Sequence, residues 1–148
     1  MRFLVINGPN LNMLGIREPE IYGTRDYAAL VGFIEDACRA EGIECDIFQS
    51  NHEGEIVDRI QAAYGNTDGI IINPAAYTHT SIAIMDALKT VMIPAVEVHI
   101  SDLTTREPFR QFSFVAMAAV DTVSGLGFDS YRVAIEKLKE YLTDRPEA

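Results

Sequence analysis

Four residues near the middle of the chain, Gly69-Ile-Ile-Ile72, constrain the fold more than any other stretch. The run is apolar and mostly β-branched, with no polar residue to mark a solvated face. A strand of that composition is buried on both faces, which requires a sheet with helices on either side. The rest of the chain must supply those helices, and it does so in alternation with further strands. Arg2–Ile6 is a short apolar strand ended by Asn-Gly-Pro. From about Asp26 to Glu41, Leu30, Phe33, Ile34 and Ala37 recur at helical spacing, and Gly42 closes the helix. Ile43–Phe48 alternates apolar and acidic residues, as a strand at a sheet edge does. Glu53–Tyr64 puts Ile56, Ile60, Ala63 and Tyr64 on one helical face ahead of Gly65. Thr80–Val91 is a third helix, with Ile82, Met85 and Leu88–Lys89 toward the core, Ser81 in its first turn and Thr78 or Thr80 as its cap. Pro94–Ile100 is a fourth strand, and Phe112–Val120 a fifth, ended by Gly125-Leu-Gly127. Tyr131, Ala134, Ile135, Leu138 and Leu142 define a last helix, and the polar Asp144–Ala148 tail frays.

Strands alternating with helices imply βαβ units, hence a parallel sheet. Five strands in 148 residues fit one α/β domain over residues 1–148. The expected architecture is a three-layer, flavodoxin-like fold: a five-stranded parallel sheet of order 2-1-3-4-5 with helices on both faces. No repeat or linker divides the chain.

The net charge is −10. This argues against a nucleic-acid partner, which needs a basic face. An anionic substrate would have to be met by local arginines, and nine of the twelve basic residues are Arg. No segment has transmembrane length, so the expected location is the cytoplasm, with no membrane partner. Cys38 and Cys45 fall in helix and strand patterns and read as reduced core residues.

In a sheet of this order ligands bind beyond the carboxyl ends of the strands, at the switch between the first and third. The residues there are Asn7 and Asn10 after the first strand, and Gln49-Ser-Asn-His52 after the second. Asn73-Pro-Ala-Ala-Tyr-Thr-His79-Thr-Ser81 follows the third, and His99-Ile-Ser101-Asp102 follows the fourth. Together they make a hydrogen-bonding pocket suited to a small hydroxylated molecule. The connection from Asn7 to Gly23 is too long for an ordinary strand-to-helix turn, which takes about 2–6 residues, and reads as an active-site loop. It has no Gly-x-Gly-x-x-Gly or Gly-Lys-Ser/Thr pattern, which argues against nucleotide binding. His52, His79 and His99 lack zinc-ligand spacing. Ser81, His79 and Asp86 offer hydrolase residue types, but Ser81 is not in a Gly-x-Ser-x-Gly elbow. Each residue also has a plainer reading. His79 can cap a helix, His99 can be a satisfied core histidine, Tyr22 can pack the loop, and Arg106 and Arg110 can pair with Glu107. Their joint placement at one sheet edge favours a site.

Three motifs in order resemble type II 3-dehydroquinate dehydratase. They are Asn7-Gly-Pro-Asn-Leu-Asn-x-Leu-Gly-x-Arg-Glu-Pro-x-x-Tyr-Gly23, Asn73-Pro-Ala-Ala-Tyr-Thr-His-Thr-Ser81, and Glu97-Val-His-Ile-Ser101 with Arg106-Glu-x-Phe-Arg110. The similarity runs over nearly the whole chain. Asp102 departs from the family's usual Asn, and Asp121 from a frequent Gly. The resemblance implies a hydro-lyase of the shikimate pathway that removes water in the anti sense from 3-dehydroquinate, giving 3-dehydroshikimate through an enolate. It implies no cofactor and no metal, and a homo-dodecamer built from trimers. It assigns Tyr22 as base, Arg17 as the loop cation beside it, Asn10 as enolate support and His99 as acid. Asn73, His79, Ile100, Ser101 and Arg110 would bind the substrate, and Asp86 would reach a neighbouring subunit's site.

Side-chain chemistry is compatible with these roles. A phenol with an ordinary pKa near 10 is a poor base unless a cation such as Arg17 favours its anion. Glu97 shares a strand face with His99 and is a candidate to orient it. The alternative of an imine on lysine is disfavoured, since Lys89, Lys137 and Lys139 all fall in helices. The alternative from another class is a non-catalytic binding module for a polyol acid. Within the long loop, Asn10 reads as fixed floor and Arg17–Tyr22 as a lid, with Gly15–Tyr22 expected to be better ordered with ligand than without.

Overall fold

The computed structural model describes residues 1–16, 18, 20 and 24–145. Arg17, Pro19, Ile21 and Tyr22 of the expected lid lie outside the described residues. The strands are β1 (Arg2–Asn7), β2 (Glu44–Gln49), β3 (Gly69–Asn73), β4 (Ala95–Val98) and β5 (Asp121–Val123). All pair in parallel, in the order β2-β1-β3-β4-β5. The helices are α1 (Tyr27–Ala40), α2 (Glu53–Ala62), α3 (Ile82–Val91) and α4 (Asp129–Thr143). Among the described residues no helix is long and apolar enough to cross a membrane.

The period-2 alternation of the strands sorts the core into two layers. Phe3 and Val5 of β1, Ile71 of β3, and Val96 and Val98 of β4 face α1 and α4, where Leu30, Ile34, Tyr131 and Leu138 are buried. Leu4, Ile6, Ile70 and Ile72 face α2 and α3, against Ile56, Ile60, Ile84 and Leu88. Gly69–Asn73 is buried along its whole length, while β2 is half-exposed at the edge, as the two patterns require.

Three expectations are corrected. Phe112–Val120 is not a strand: Val115–Ala118 is a 3₁₀ turn, and the fifth strand is Asp121–Val123. The cause is local bonding. The Ser113 hydroxyl accepts the Ala116 N–H at 2.9 Å, and the Phe114 N–H goes to the Thr78 carbonyl at 2.8 Å, so these groups are lost to a ladder. Phe112 and Met117 are exposed. Second, Ser81 is itself the cap of α3, its Oγ accepting the Ile84 N–H at 3.0 Å. That shifts the buried stripe to Ile84, Ala87, Leu88 and Val91, leaving Ile82 and Lys89 outside and Met85 half-buried. Third, α2 ends at Ala62, and Tyr64 is exposed rather than on the core face.

The carboxyl ends of β1 and β3 approach closely. A Cβ at Gly8 would sit 2.6 Å from the Pro74 carbonyl oxygen, so glycine is required there. Gly8 N–H donates to the Asn73 carbonyl at 2.8 Å. Asn10 and Ala75, one on each side of this junction, both hold left-handed backbone, with φ of 71° and 51°.

Candidate active site

The turns leaving β1, β3 and β4 form a cleft at the carboxyl edge of the sheet. Asn10, Asn73, His79, His99, Ile100, Ser101 and Arg110 line it, together with Arg106. Seven of the expected residues thus meet in one place. Asp86 does not: it is exposed on α3, outside the cleft of its own chain.

The floor of the cleft is a buried amide–phenol network. The Tyr131 hydroxyl donates to Asn7 Oδ1 at 2.7 Å and accepts from Asn73 Nδ2 at 2.9 Å. Asn7 Nδ2 in turn donates to the Tyr27 hydroxyl at 3.3 Å. Burial pushes the phenols of Tyr131 and Tyr27 above their usual value, so both stay protonated hydrogen-bonding groups. Asn73 Oδ1 accepts the Ala75 N–H at 3.1 Å, which helps hold that residue in its left-handed conformation. Asn10 is held by its backbone, its N–H donating to Asn51 Oδ1 at 3.0 Å. Gln49 Nε2 reaches the same oxygen at 3.2 Å and the Gly8 carbonyl at 3.2 Å. The second strand end therefore fixes the first, and His52 beside it remains outside the cleft.

His99 follows β4 directly, and its N–H continues the sheet by donating to the Val123 carbonyl at 2.9 Å. Its Nε2 lies 2.5 Å from Glu97 Oε2. Two residues along a strand return to the same face, which is why Glu97 and His99 meet. Glu97 has no exposed surface. Burial alone would raise its pKa, but hydrogen bonds from His99, Thr78 and Ser113 and the charge of His99 outweigh burial and hold it below the ordinary carboxylate value.

The opposite wall is cationic. Arg110 donates from Nε to Glu107 Oε2 at 2.6 Å, and Arg106 donates from a terminal nitrogen to Ser101 Oγ at 3.2 Å. Arg106 also pairs with Glu18 at 3.8 Å and Glu107 at 4.0 Å. Both arginines thus pair with Glu107, as their plainer reading held, and both still line the cleft. His79 combines its two readings in the same way: its Nδ1 lies 2.8 Å from the Phe112 carbonyl while the ring borders the cleft. Arg106, which shares that plainer reading with Arg110, is a wall residue to which the resemblance assigns no role. Its position four residues before Arg110 was visible, but its burial depends on the turn at Leu103–Thr105. Ser81 is occupied in capping, its Oγ accepting the Ile84 N–H, and among the described residues its hydroxyl has no histidine partner.

A five-stranded doubly wound sheet with amides, histidines and two arginines around one switch-point cleft defines an α/β protein built to hold a small hydroxylated anion. The family model for class II dehydroquinase matches residues 1–139, and the chain belongs to that family. A 3-dehydroquinate dehydratase from Clostridium acetobutylicum is 54% identical over 143 residues, 97% of this chain and 99% of that protein. A type II dehydroquinase structure from Butyrivibrio crossotus superposes with a TM-score of 0.92 at 52% identity, covering 94% of this chain and 97% of that one. A second, from Propionibacterium acnes, gives a TM-score of 0.88 at 39% identity, covering 97% of each chain.

Proposed function

We propose that the chain eliminates water from 3-dehydroquinate in the anti sense, through an enolate, to give 3-dehydroshikimate in the cytoplasmic shikimate pathway. The observation that carries this reading is one cleft in which His99, backed by the buried Glu97, stands with Arg106 and Arg110. The arginines suit the substrate carboxylate, since a guanidinium offers a bidentate fork. Tyr22, as phenolate beside Arg17, removes the proton next to the ketone, and the electron pair passes into the enolate. Asn10 donates to that oxygen, directly or through water. Collapse of the enolate expels the β-hydroxyl, which takes a proton from His99 and leaves as water. The phenol's new proton and the one lost from His99 balance, so solvent exchange resets the site.

Tyr27 and Tyr131 are poor rivals for the base, because burial raises their pKa. The imine route finds no support: Lys137 pairs with Asp121 at 3.1 Å, Lys139 with Glu41 at 3.1 Å, and Lys89 is exposed on α3. None of the three lines the cleft. Twelve chains would assemble as a dodecamer built from trimers, with Asp86 completing a neighbour's cleft.

The test is the growth of conjugated-enone absorbance on adding 3-dehydroquinate, repeated with Tyr22→Phe. We expect turnover in the parent and at least about a thousandfold loss in the variant, in the range that removal of an acid or base produces. A parent that binds substrate calorimetrically without turnover would leave a binding module instead. Near-normal turnover in Tyr22→Phe would overturn the base assignment.

A further inference from the structure

The dehydration needs His99 in a definite protonation pattern, and the groups that set it lie outside the cleft. Glu97 Oε2 receives His99 Nε2 at 2.5 Å and the Thr78 hydroxyl at 2.5 Å. The Ser113 hydroxyl reaches Glu97 Oε1 at 2.9 Å and Oε2 at 3.0 Å. Thr78 and Ser113 also touch each other, Oγ1 to Oγ, at 2.7 Å. Three chain segments far apart in sequence therefore converge on one carboxylate with no solvent exposure. We infer that Thr78 and Ser113 are positioning residues for the reaction: they keep Glu97 an acceptor, so that His99 carries its resting proton on Nε2 and leaves Nδ1 for the proton that the departing hydroxyl takes. The inference rests on the proposed dehydration for its kinetic consequence, but not for the tautomer itself.

A buried carboxyl with too few donors takes up a proton. A protonated Glu97 would present an O–H to Nε2, forcing the histidine proton onto Nδ1. His99 would then face the cleft with a proton it holds as a neutral imidazole, a weak acid. An ionised Glu97 reverses this and favours the imidazolium that forms before proton transfer. Glu97 is deeply buried and yet kept below its ordinary value, which is what two added hydroxyl donors and His99 would do. Among the described residues its only charged or titratable partner is His99. Its neighbours across the sheet are Ile72 on β3 and Thr122 on β5, and α3 presents Ile84 and Leu88 to this layer.

The experiment uses Thr78→Val, Ser113→Ala, the double variant and the conservative Ser113→Thr. Ser113 Oγ also accepts the Ala116 N–H, so Ser113→Ala alone disturbs the turn, and Thr78→Val serves as the independent arm. Each single loss should lower kcat roughly tenfold and the pair about a hundredfold, as hydrogen bonds to charged groups are worth, with KM little changed. The acid limb of the kcat profile should move to higher pH, and Ser113→Thr should restore it. Nitrogen-15 spectra of the histidines in the ligand-free protein should show His99 protonated at Nε2 in the parent and shifted toward Nδ1 in the double variant. Folded variants with unchanged kcat, unchanged acid limb and an unchanged tautomer overturn the inference, as does a rise confined to KM. A parent that forms no enone overturns the dehydration, and the tautomer spectra then decide the inference alone.

Discussion

Glu97 shows how a single residue can be charged, buried and stable at once. Three donors surround it, and their removal from the unfolded chain has a pH signature. Its folded pKa is below its ordinary value, so its contribution to stability is fully present above the ordinary carboxylate range. It is lost as the pH falls through the lower folded value, when the carboxylate must take a proton. In Glu97→Gln that contribution is absent at every pH. The gap in urea unfolding free energy between parent and variant is therefore expected to shrink as the pH falls below the ordinary carboxylate range, under conditions where the histidines are already charged. A gap that instead widens in acid would mean that the folded carboxyl is raised, not lowered. At this scale the sequence exposed Glu97 and His99 by their strand spacing. It did not expose Thr78 and Ser113, which lie 19 and 16 residues from Glu97 and meet it only through the fold.

At the scale of the element, α4 does more than cover the sheet. Its Tyr131 sits in the apolar stripe that defines the helix, and its hydroxyl ties the ends of β1 and β3 through Asn7 and Asn73. A tyrosine in a core stripe needs a partner for its hydroxyl, and that was the available signal. Tyr131→Phe keeps the ring and orphans an amide oxygen and an amide N–H beneath the cleft. Each orphan costs about 1–3 kcal/mol, so a loss of about 2–6 kcal/mol is expected in denaturant unfolding, with the slope unchanged. A loss below about 0.5 kcal/mol, the level of a neutral surface change, would show that water replaces the phenol there. The same scale holds the main misreading. Phe112–Val120 has strand composition, but its backbone is claimed by Ser113 and by the Thr78 carbonyl before a ladder can form. The true edge strand, Asp121–Val123, is short and carries an acid, which hides it from an apolar-run reading.

For the whole molecule, the long apolar strands fixed the layer order, because a continuous run such as Gly69–Ile72 admits few arrangements. The cleft followed from that order by topology. What topology within one chain does not account for is Asp86, exposed on α3 and away from the cleft. The surface near it is apolar: Ile82 on α3 is 51% exposed, and Met117, on the 3₁₀ turn that packs against α3, is 61% exposed. Burying such side chains between subunits yields roughly 25 cal/mol per Å². The proposed assembly joins the two facts, since one interface would cover the apolar side chains and carry Asp86 to a neighbour's cleft. Sedimentation should then give a particle of twelve 16.4 kDa chains. Ile82→Asp would place a charge in the contact and should release smaller, folded species with lower kcat/KM. Asp86→Ala should lower kcat/KM without changing the sedimenting mass. Mixed assemblies distinguish the two roles. Subunits carrying Asp86→Ala, combined with subunits inactivated by Tyr22→Phe, should regain activity, because a cleft that keeps its own Tyr22 can then take an intact Asp86 from a Tyr22→Phe neighbour. No recovery on mixing, in particles of the full mass, would mean that Asp86 does not act across the interface.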